Sequence, residues 1–393
     1  MTGDQAAAAV GVTPGTLRRW VRERLIPQYG GEWTTPALSQ ARLVARLRER
    51  GHTLAEIRRA GEDGRLAFSH VADLFGVEEP VYTVADATRE TGLEPQLVER
   101  IKLSLGLRDS RGLTKGELEL LRYVAAVLDA GLPLEALLQL TRVYSQAVSQ
   151  IADAEVRLVH LYVHEPLMRS GSSAAEMADE LVELTGDLLP LASPMLDQLH
   201  RRMLGHFIEQ DIVGHMEAEL QSSAEAGRMR VAIAFADLAG YTRLTEEAGE
   251  LHALDVVERF TEAVVATLPE GARMVNTIGD GVMIVGSDPA ALAVWAVGFQ
   301  RLHTDRPRPR IAVHYGYALY RDADYYGREV NIAARVAARA AGGEVLVTRP
   351  IVEASGPELE FERIAEVRLK GFKGPTEIFL ARPRGERPPE VVS

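Results

Sequence analysis

An α+β protein is predicted: an all-α N-terminal half of tandem helix-turn-helix repeats, then a C-terminal domain with a ferredoxin-like core. Three observations carry this. The first 140 residues contain a repeat offset by about 80 positions. Residues 138 to about 222 are acidic and apolar at helical spacing. From Met229 onward, apolar runs and amphipathic stretches alternate in the order strand, helix, strand, strand, helix, strand.

The repeat pairs Val10-Gly11-Val12-Thr13-Pro14 with Thr91-Gly92-Leu93-Glu94-Pro95, and Gly51-His52-Thr53-Leu54 with Gly131-Leu132-Pro133-Leu134. Each copy reads as helix, tight glycine turn, second helix, a short irregular segment and a third helix. In the first copy the second helix, Pro14 to Arg24, carries Arg18, Arg19, Arg22 and Arg24 around Trp20. In the second copy, Leu97-Val98-Glu99-Arg100-Ile101-Lys102 is charge-balanced.

Beyond the second copy, Leu140, Val143, Val148, Ile151, Val156 and Val159 define one amphipathic helix. Pro166 and Gly171-Ser172-Ser173 are expected to break it. A helix is expected over 174–184 and another over 194–220, with Gln221–Gly227 as a linker. In the C-terminal half, strands are expected at 231–235, 273–277, 282–285, 311–319, 344–347 and 376–381. Helices are expected at 242–268, 290–303 and 330–340. The domain limits follow: residues 1–75, 80–222 and 228–382, then a proline- and charge-rich tail, 383–393, expected to be disordered.

Composition narrows the function classes. The chain has 393 residues, 46% hydrophobic and 25% charged, with no cysteine, which excludes disulfides and thiolate metal sites. No apolar run reaches the roughly 18 residues that a membrane span needs. The N-terminus lacks a signal-peptide layout, so a cytoplasmic protein without membrane association is expected. Net charge is −12, which disfavours general nucleic-acid affinity. Residues 1–68 run the other way, with eleven arginines against seven acidic residues.

Four clusters carry chemistry. Asp237, in Phe235-Ala236-Asp237-Leu238-Ala239-Gly240, ends a strand-like run. Asp280, in Thr277-Ile278-Gly279-Asp280-Gly281, sits in a hairpin turn. Two carboxylates at strand ends suit Mg²⁺ or Mn²⁺, which take one or two carboxylates plus substrate phosphates. In Asp324-Tyr325-Tyr326-Gly327-Arg328-Glu329-Val330-Asn331-Ile332-Ala333-Ala334-Arg335, Asn331 and Arg335 are four apart and share a helix face. An amide and a guanidinium projecting together suit a ribose and a phosphate. Lys370-Gly371-Phe372-Lys373-Gly374 holds two of the four lysines on a glycine-rich turn, suited to a polyphosphate.

These motifs, in this order, make segment 229–382 similar to the catalytic domain of class III nucleotidyl cyclases. The resemblance implies that Asp237 and Asp280 hold two Mg²⁺ or Mn²⁺ ions per site. It implies that Arg335 stabilises the transition state and Asn331 orients the ribose. Asp324 would accept from the adenine amino group, and Lys370 or Lys373 would hold the triphosphate; an extra residue in the Lys-Gly-Lys-Gly pattern leaves either open. The purine-reading lysine of the family is Asn276 here, still a donor but uncharged. ATP is favoured over GTP. The family's sites form across a homodimer, with Asp237 and Asp280 of one chain facing Asn276, Asp324, Asn331 and Arg335 of the other. The first repeat resembles a MerR-type winged helix, and the N-terminal half resembles the regulatory domain of some actinobacterial cyclases. His160, His164, His200, His206 and His215 cluster between the two halves, which suits a response to pH.

A regulated adenylate cyclase is therefore expected. The competing readings are a DNA- or protein-binding regulator with a weakly active nucleotide-sensing domain, and a guanylate cyclase. DNA is the less favoured partner.

Overall fold

The computed structural model describes residues 2–26, 33–63, 65–66, 80–107, 112–170, 174–219, 228–303, 307–369 and 374–385. The chain divides into two compact units, Met1–Leu204 and Gly205–Ser393.

The first unit is helical. One copy of the repeat contains α1 (Gly3–Val10), α2 (Pro14–Arg22), α3 (Thr35–Glu49) and α4 (Leu54–Glu62). The other contains α5 (Val84–Thr91), α6 (Pro95–Ser104), α7 (Lys115–Asp129) and α8 (Leu134–Val159). The glycines that align in sequence do the same work in both copies. Gly11 (φ 80°) and Gly92 (φ 72°) end α1 and α5 in the left-handed region, where a side chain would be strained. Threonine hydroxyls at 2, 13, 34, 53, 83 and 114 cap six of these helices, each accepting from a backbone N–H three residues on. Each copy has its own core: Leu17, Trp20, Val44 and Ile57 in the first, Val98, Ile101, Leu113 and Leu121 in the second. The fourth helix of each copy extends the expected three.

After α8 a π-helical turn, His160–His164, leads into α9 (Glu165–Arg169). Residues 174–219 then form one continuous helix, α10 (Ala174–Glu219), with Pro190 and Pro194 inside it. This corrects the expectation of two helices with a break between 184 and 194. Each proline forfeits one ladder bond, but the leucine-, alanine- and glutamate-rich flanks carry the helix through. The linker Gln221–Gly227 lies outside the described residues, as does the tail from 386 onward.

The second unit is built on one eight-stranded sheet. Its elements are β1 (Arg228–Leu238), α11 (Tyr241–Ala248), α12 (Glu250–Thr267), β2 (Ala272–Ile278), β3 (Gly281–Gly286), α13 (Pro289–Leu302), β4 (Pro309–Arg321), β5 (Asp324–Tyr326), α14 (Arg328–Ala337), β6 (Val345–Thr348), α15 (Arg349–Ala354), β7 (Leu359–Val367) and β8 (Thr376–Pro383). The strand order is β2-β3-β1-β4-β6-β8-β7, with β5 paired to β4. The first four of these, β2-β3-β1-β4, are all antiparallel and form the ferredoxin-like core; β4 and β6 are parallel.

Alternation along β1 explains the two faces. Ala232, Ala234, Ala236 and Leu238 join the core that includes Phe260, Leu292 and Phe299 of α12 and α13. Val231 and Ile233 point the other way, to a core that includes Ala333 of α14. The single helix expected over 242–268 is two, because Gly249 (φ 86°, ψ 160°) interrupts it. Strands β5 and β7 and helix α15 had no clear signal in the sequence.

Candidate active site

Asp237 is the penultimate residue of β1, and its cross-strand partners are Gly281 on β3 and Arg310 on β4. Asp280 occupies the tight turn between β2 and β3, which Gly279 makes possible with φ 62°. A Cβ at Gly281 would sit 3.2 Å from the Ala236 carbonyl oxygen and 3.2 Å from Asp237 Cβ. Glycine there lets the turn approach the aspartate strand, so residues 43 apart in sequence become electrostatic neighbours.

Asp237 Oδ2 accepts from Arg310 Nε at 3.1 Å and from Nη2. Asp237 Oδ1 is buried and finds no hydrogen-bond donor among the described residues. Burial raises the Asp280 carboxyl from its ordinary 3.8 to about 6, with the hydrogen bond and charge of Asp237 adding to the rise and Arg310 opposing it. Two carboxylates pressed together, one with an orphaned buried oxygen, lack a positive charge that Arg310 supplies only in part. The donor set is all hard oxygen and only two carboxylates, which fits Mg²⁺ or Mn²⁺ completing its shell with water and phosphate. Sequence reading missed Arg310. It lies 73 residues from Asp237, and only the β1–β4 register pairs them.

The other expected residues that the structure describes stand on β2, β5 and α14 of the same unit. Asn276 is exposed on β2, just after an irregularity in its pairing with β3. Asp324 opens β5, where its Oδ1 accepts the Tyr325 backbone N–H at 2.7 Å. Tyr325 is buried and receives a long 3.5 Å hydrogen bond from Arg273 Nη2, which ties β5 to β2. Gly327 (φ 130°, ψ −173°) turns the chain from β5 into α14. On α14, Ile332, Ala333, Val336 and Ala337 are buried. Asn331 and Arg335 stand on the opposite, exposed side. Asn331 Nδ2 donates to the Gly327 carbonyl at 3.1 Å. A single chain therefore presents Asn331 and Arg335 outward. Lys370 and Lys373 lie outside the described residues.

Among the histidines, His160 and His164 share a 3.2 Å Nδ1–Nδ1 contact across the π-turn, and His164 is buried. His200 and His206 are exposed on α10. The His215 side chain lies outside the described residues.

A concavity of about 380 Å³ in the N-terminal unit is lined by Leu17, Arg18, Val21, Arg22 and Trp33 among others. No helix among the described residues is long and apolar enough to cross a membrane.

Comparison with known proteins places these features. Residues 34–208 match the family described as adenylate cyclase regulatory domain, and residues 1–62 match the MerR HTH family regulatory proteins. The chain is 28% identical over 371 residues to the pH-sensitive adenylate cyclase of Mycobacterium tuberculosis strain CDC 1551, covering 91% of each chain. It is 30% identical over 363 residues to an uncharacterised protein of M. tuberculosis strain H37Rv, covering 86% of this chain and 89% of that one. A crystal structure of an adenylyl cyclase from P. aeruginosa aligns with 40% of this chain and 96% of its own, at 21% identity and a TM-score of 0.36. The chain belongs to the adenylate cyclase family, in the form that carries a MerR-like module and an adenylate cyclase regulatory domain.

Proposed function

We propose that this chain converts ATP to 3′,5′-cyclic AMP and pyrophosphate at sites completed across a homodimer. The observation that carries the reading is the Asp237–Asp280 pair, with its orphaned oxygen and raised Asp280 pKa. Two Mg²⁺ or Mn²⁺ ions, when bound there, would supply Lewis-acid activation of the ribose 3′-hydroxyl and neutralise charge on the leaving pyrophosphate. Arg310 holds Asp237 in orientation through Oδ2. Asn331 orients the ribose, and Arg335 stabilises the charge that builds on the α-phosphate as the 3′-oxygen bond forms and the bond to the β-phosphate breaks. Asp324, with Oδ1 engaged by its own turn, accepts from the adenine amino group through Oδ2, and Asn276 donates to a ring nitrogen. Lys370 or Lys373 holds the triphosphate.

The outward projection of Asn331 and Arg335 supports assembly from two chains, in which they would face a nucleotide held by the partner's carboxylates. We assign residues 228–382 to catalysis, 1–75 and 80–222 to regulation, and the chain to the cytoplasm, where its nucleotide is made available. The clustering of His160, His164, His200, His206 and His215 in one stretch of the chain supports a response to pH.

The test is cyclic nucleotide production by the purified full-length protein with Mn²⁺ or Mg²⁺ and ATP or GTP. Cyclic AMP formation that Asp280→Ala abolishes is the expected result. Cyclic GMP from GTP in its place would reassign the base, and no product from either nucleotide would overturn the reading. The second reading, a regulator with a nucleotide-sensing domain, is favoured by Asn276 and by the exposed arginines of α2. Within that helix, however, Arg19 is already spent on Glu23 at 2.7 Å.

A further inference from the structure

His314 is a buried titratable group for which the reaction above has no use. It lies in the middle of β4, beneath α14, with 4% of its surface exposed. Both ring nitrogens are engaged. Nδ1 meets Thr348 Oγ1 at 2.7 Å, and Nε2 meets Glu329 Oε2 at 2.6 Å. The other Glu329 oxygen, Oε1, accepts from Arg328 Nη1 at 3.2 Å.

Three details make this more than a satisfied core histidine. Thr348 occupies the N-cap position of α15 with extended backbone, yet makes no side-chain capping bond. A side-chain cap stabilises a helix start, and here the hydroxyl turns to His314 instead. Gly316, two residues along the same face of β4, leaves the space that the Glu329 stem fills, for a Cβ there would fall 2.8 Å from Glu329 Cγ. The His314 hydrogen bond, with Arg328 assisting, holds the Glu329 carboxyl below its ordinary range, so it is ionised and a strong acceptor near neutral pH.

Glu329 lies in the first turn of α14. Asn331 and Arg335 follow two and six residues later on the same helix, on its exposed side. The apolar contacts of Ile332, Ala333 and Val336 hold the helix against the sheet but are non-directional, so they set its rotation and axial position loosely. A buried, directional chain from strand to helix sets them tightly.

We propose that Glu329, anchored through His314 to Thr348, is a positioning residue that sets the rotation and axial position of α14, and so the placement of Asn331 and Arg335 toward the nucleotide. This rests on the cyclase reading. Glutamine at 329 keeps an acceptor of the same length but loses the charge, and so loosens the anchor without emptying the site.

The experiment compares full-length wild type, Glu329→Gln, Arg335→Ala and the double variant by steady-state kinetics with Mn²⁺ and ATP. Displacement of groups by even 1 Å costs up to about a hundredfold in rate. Glu329→Gln is therefore expected to lower kcat by about tenfold or more, with KM within about twofold. If Glu329 acts through Arg335, it adds little once Arg335 is gone, whereas a general loss of folded protein would multiply with it. An unchanged kcat, or full multiplication of the two effects, overturns the proposal. A second measurement is independent of turnover: amide hydrogen exchange across 328–337. Faster exchange there in Glu329→Gln, with 228–238 unchanged, is expected, and no change across α14 overturns the anchor. If the wild type makes no cyclic nucleotide, the cyclase reading fails, and the exchange result alone decides whether Glu329 holds the helix.

Discussion

At the scale of residues, the centre of the molecule is a pair of carboxyl groups that ought to repel. Burial and mutual charge raise Asp280 to about 6, while Arg310 offsets part of the cost through Asp237. The folded chain therefore keeps a proton on Asp280 that the unfolded chain has already released above its ordinary 3.8. Its contribution to stability is full below that value and is lost as pH rises through about 6. A divalent cation reverses the direction, because it needs both carboxylates ionised. The rise in melting temperature that Mn²⁺ produces should be larger at about pH 7.5 than at about pH 5.5, and Asp280→Asn should remove that difference. The same site predicts the effect of Gly281→Ala. Its new Cβ would press on Asp237 Cβ and the Ala236 carbonyl oxygen, both at 3.2 Å. A loss of cyclase rate of about tenfold or more is expected, and a destabilisation by thermal unfolding of only about 1 kcal/mol. A rate unchanged from wild type would show that the turn does not position the aspartates. Asp237 and Asp280 stood out in sequence because one ends a strand-like apolar run and the other lies between two glycines in a turn. Arg310 and the His314–Glu329–Thr348 chain did not, because cross-strand and strand-to-helix contacts leave no local pattern.

At the scale of elements, glycine and threonine mark most of the boundaries. Gly327 is the sharpest case, with φ 130° and ψ −173°, a region that only glycine occupies without strain. Gly327→Ala should cost about 1–3 kcal/mol in denaturant unfolding, and should lower cyclase activity further than stability, because Asn331 bonds the Gly327 carbonyl. An alanine variant of wild-type stability would mean that the turn relaxes freely. Helix α10 shows the opposite behaviour. The sequence reading left a gap between 184 and 194, and the helix runs through it and through both prolines. Local propensity is a weak prior when long helix-forming stretches flank the break on each side. The short strand β5 and helix α15 were hidden for a related reason: three- and six-residue elements carry too little periodicity to stand out.

At the scale of the whole molecule, the division of labour between two chains is the principal prediction. Asp237 lies at the sheet end and Arg335 on the outward side of α14. If each site takes carboxylates from one chain and Arg335 from the other, Asp237→Ala and Arg335→Ala proteins should each be inactive alone. Mixed and allowed to exchange subunits, they should recover about a quarter of the wild-type rate, because about half of the dimers are then mixed and each has one intact site of two. No recovery, with subunit exchange verified by a tag, would place both groups in one chain's site.

The sequence by itself determined the class of each half. An 80-residue repeat with glycine turns specified the paired helical modules, and the order of apolar runs specified a ferredoxin-like sheet. It also singled out Asp237, Asp280, Asn331 and Arg335 as candidates, because turn glycines and an i,i+4 helix face can be read along a chain. Only the tertiary structure decided which groups meet. Strand register set Arg310 against Asp237, and the packing of α14 on β4 buried His314 against Glu329 while turning Asn331 and Arg335 outward. Register and helix rotation arise from burying whole faces at once, and that cooperation is not written in any one segment.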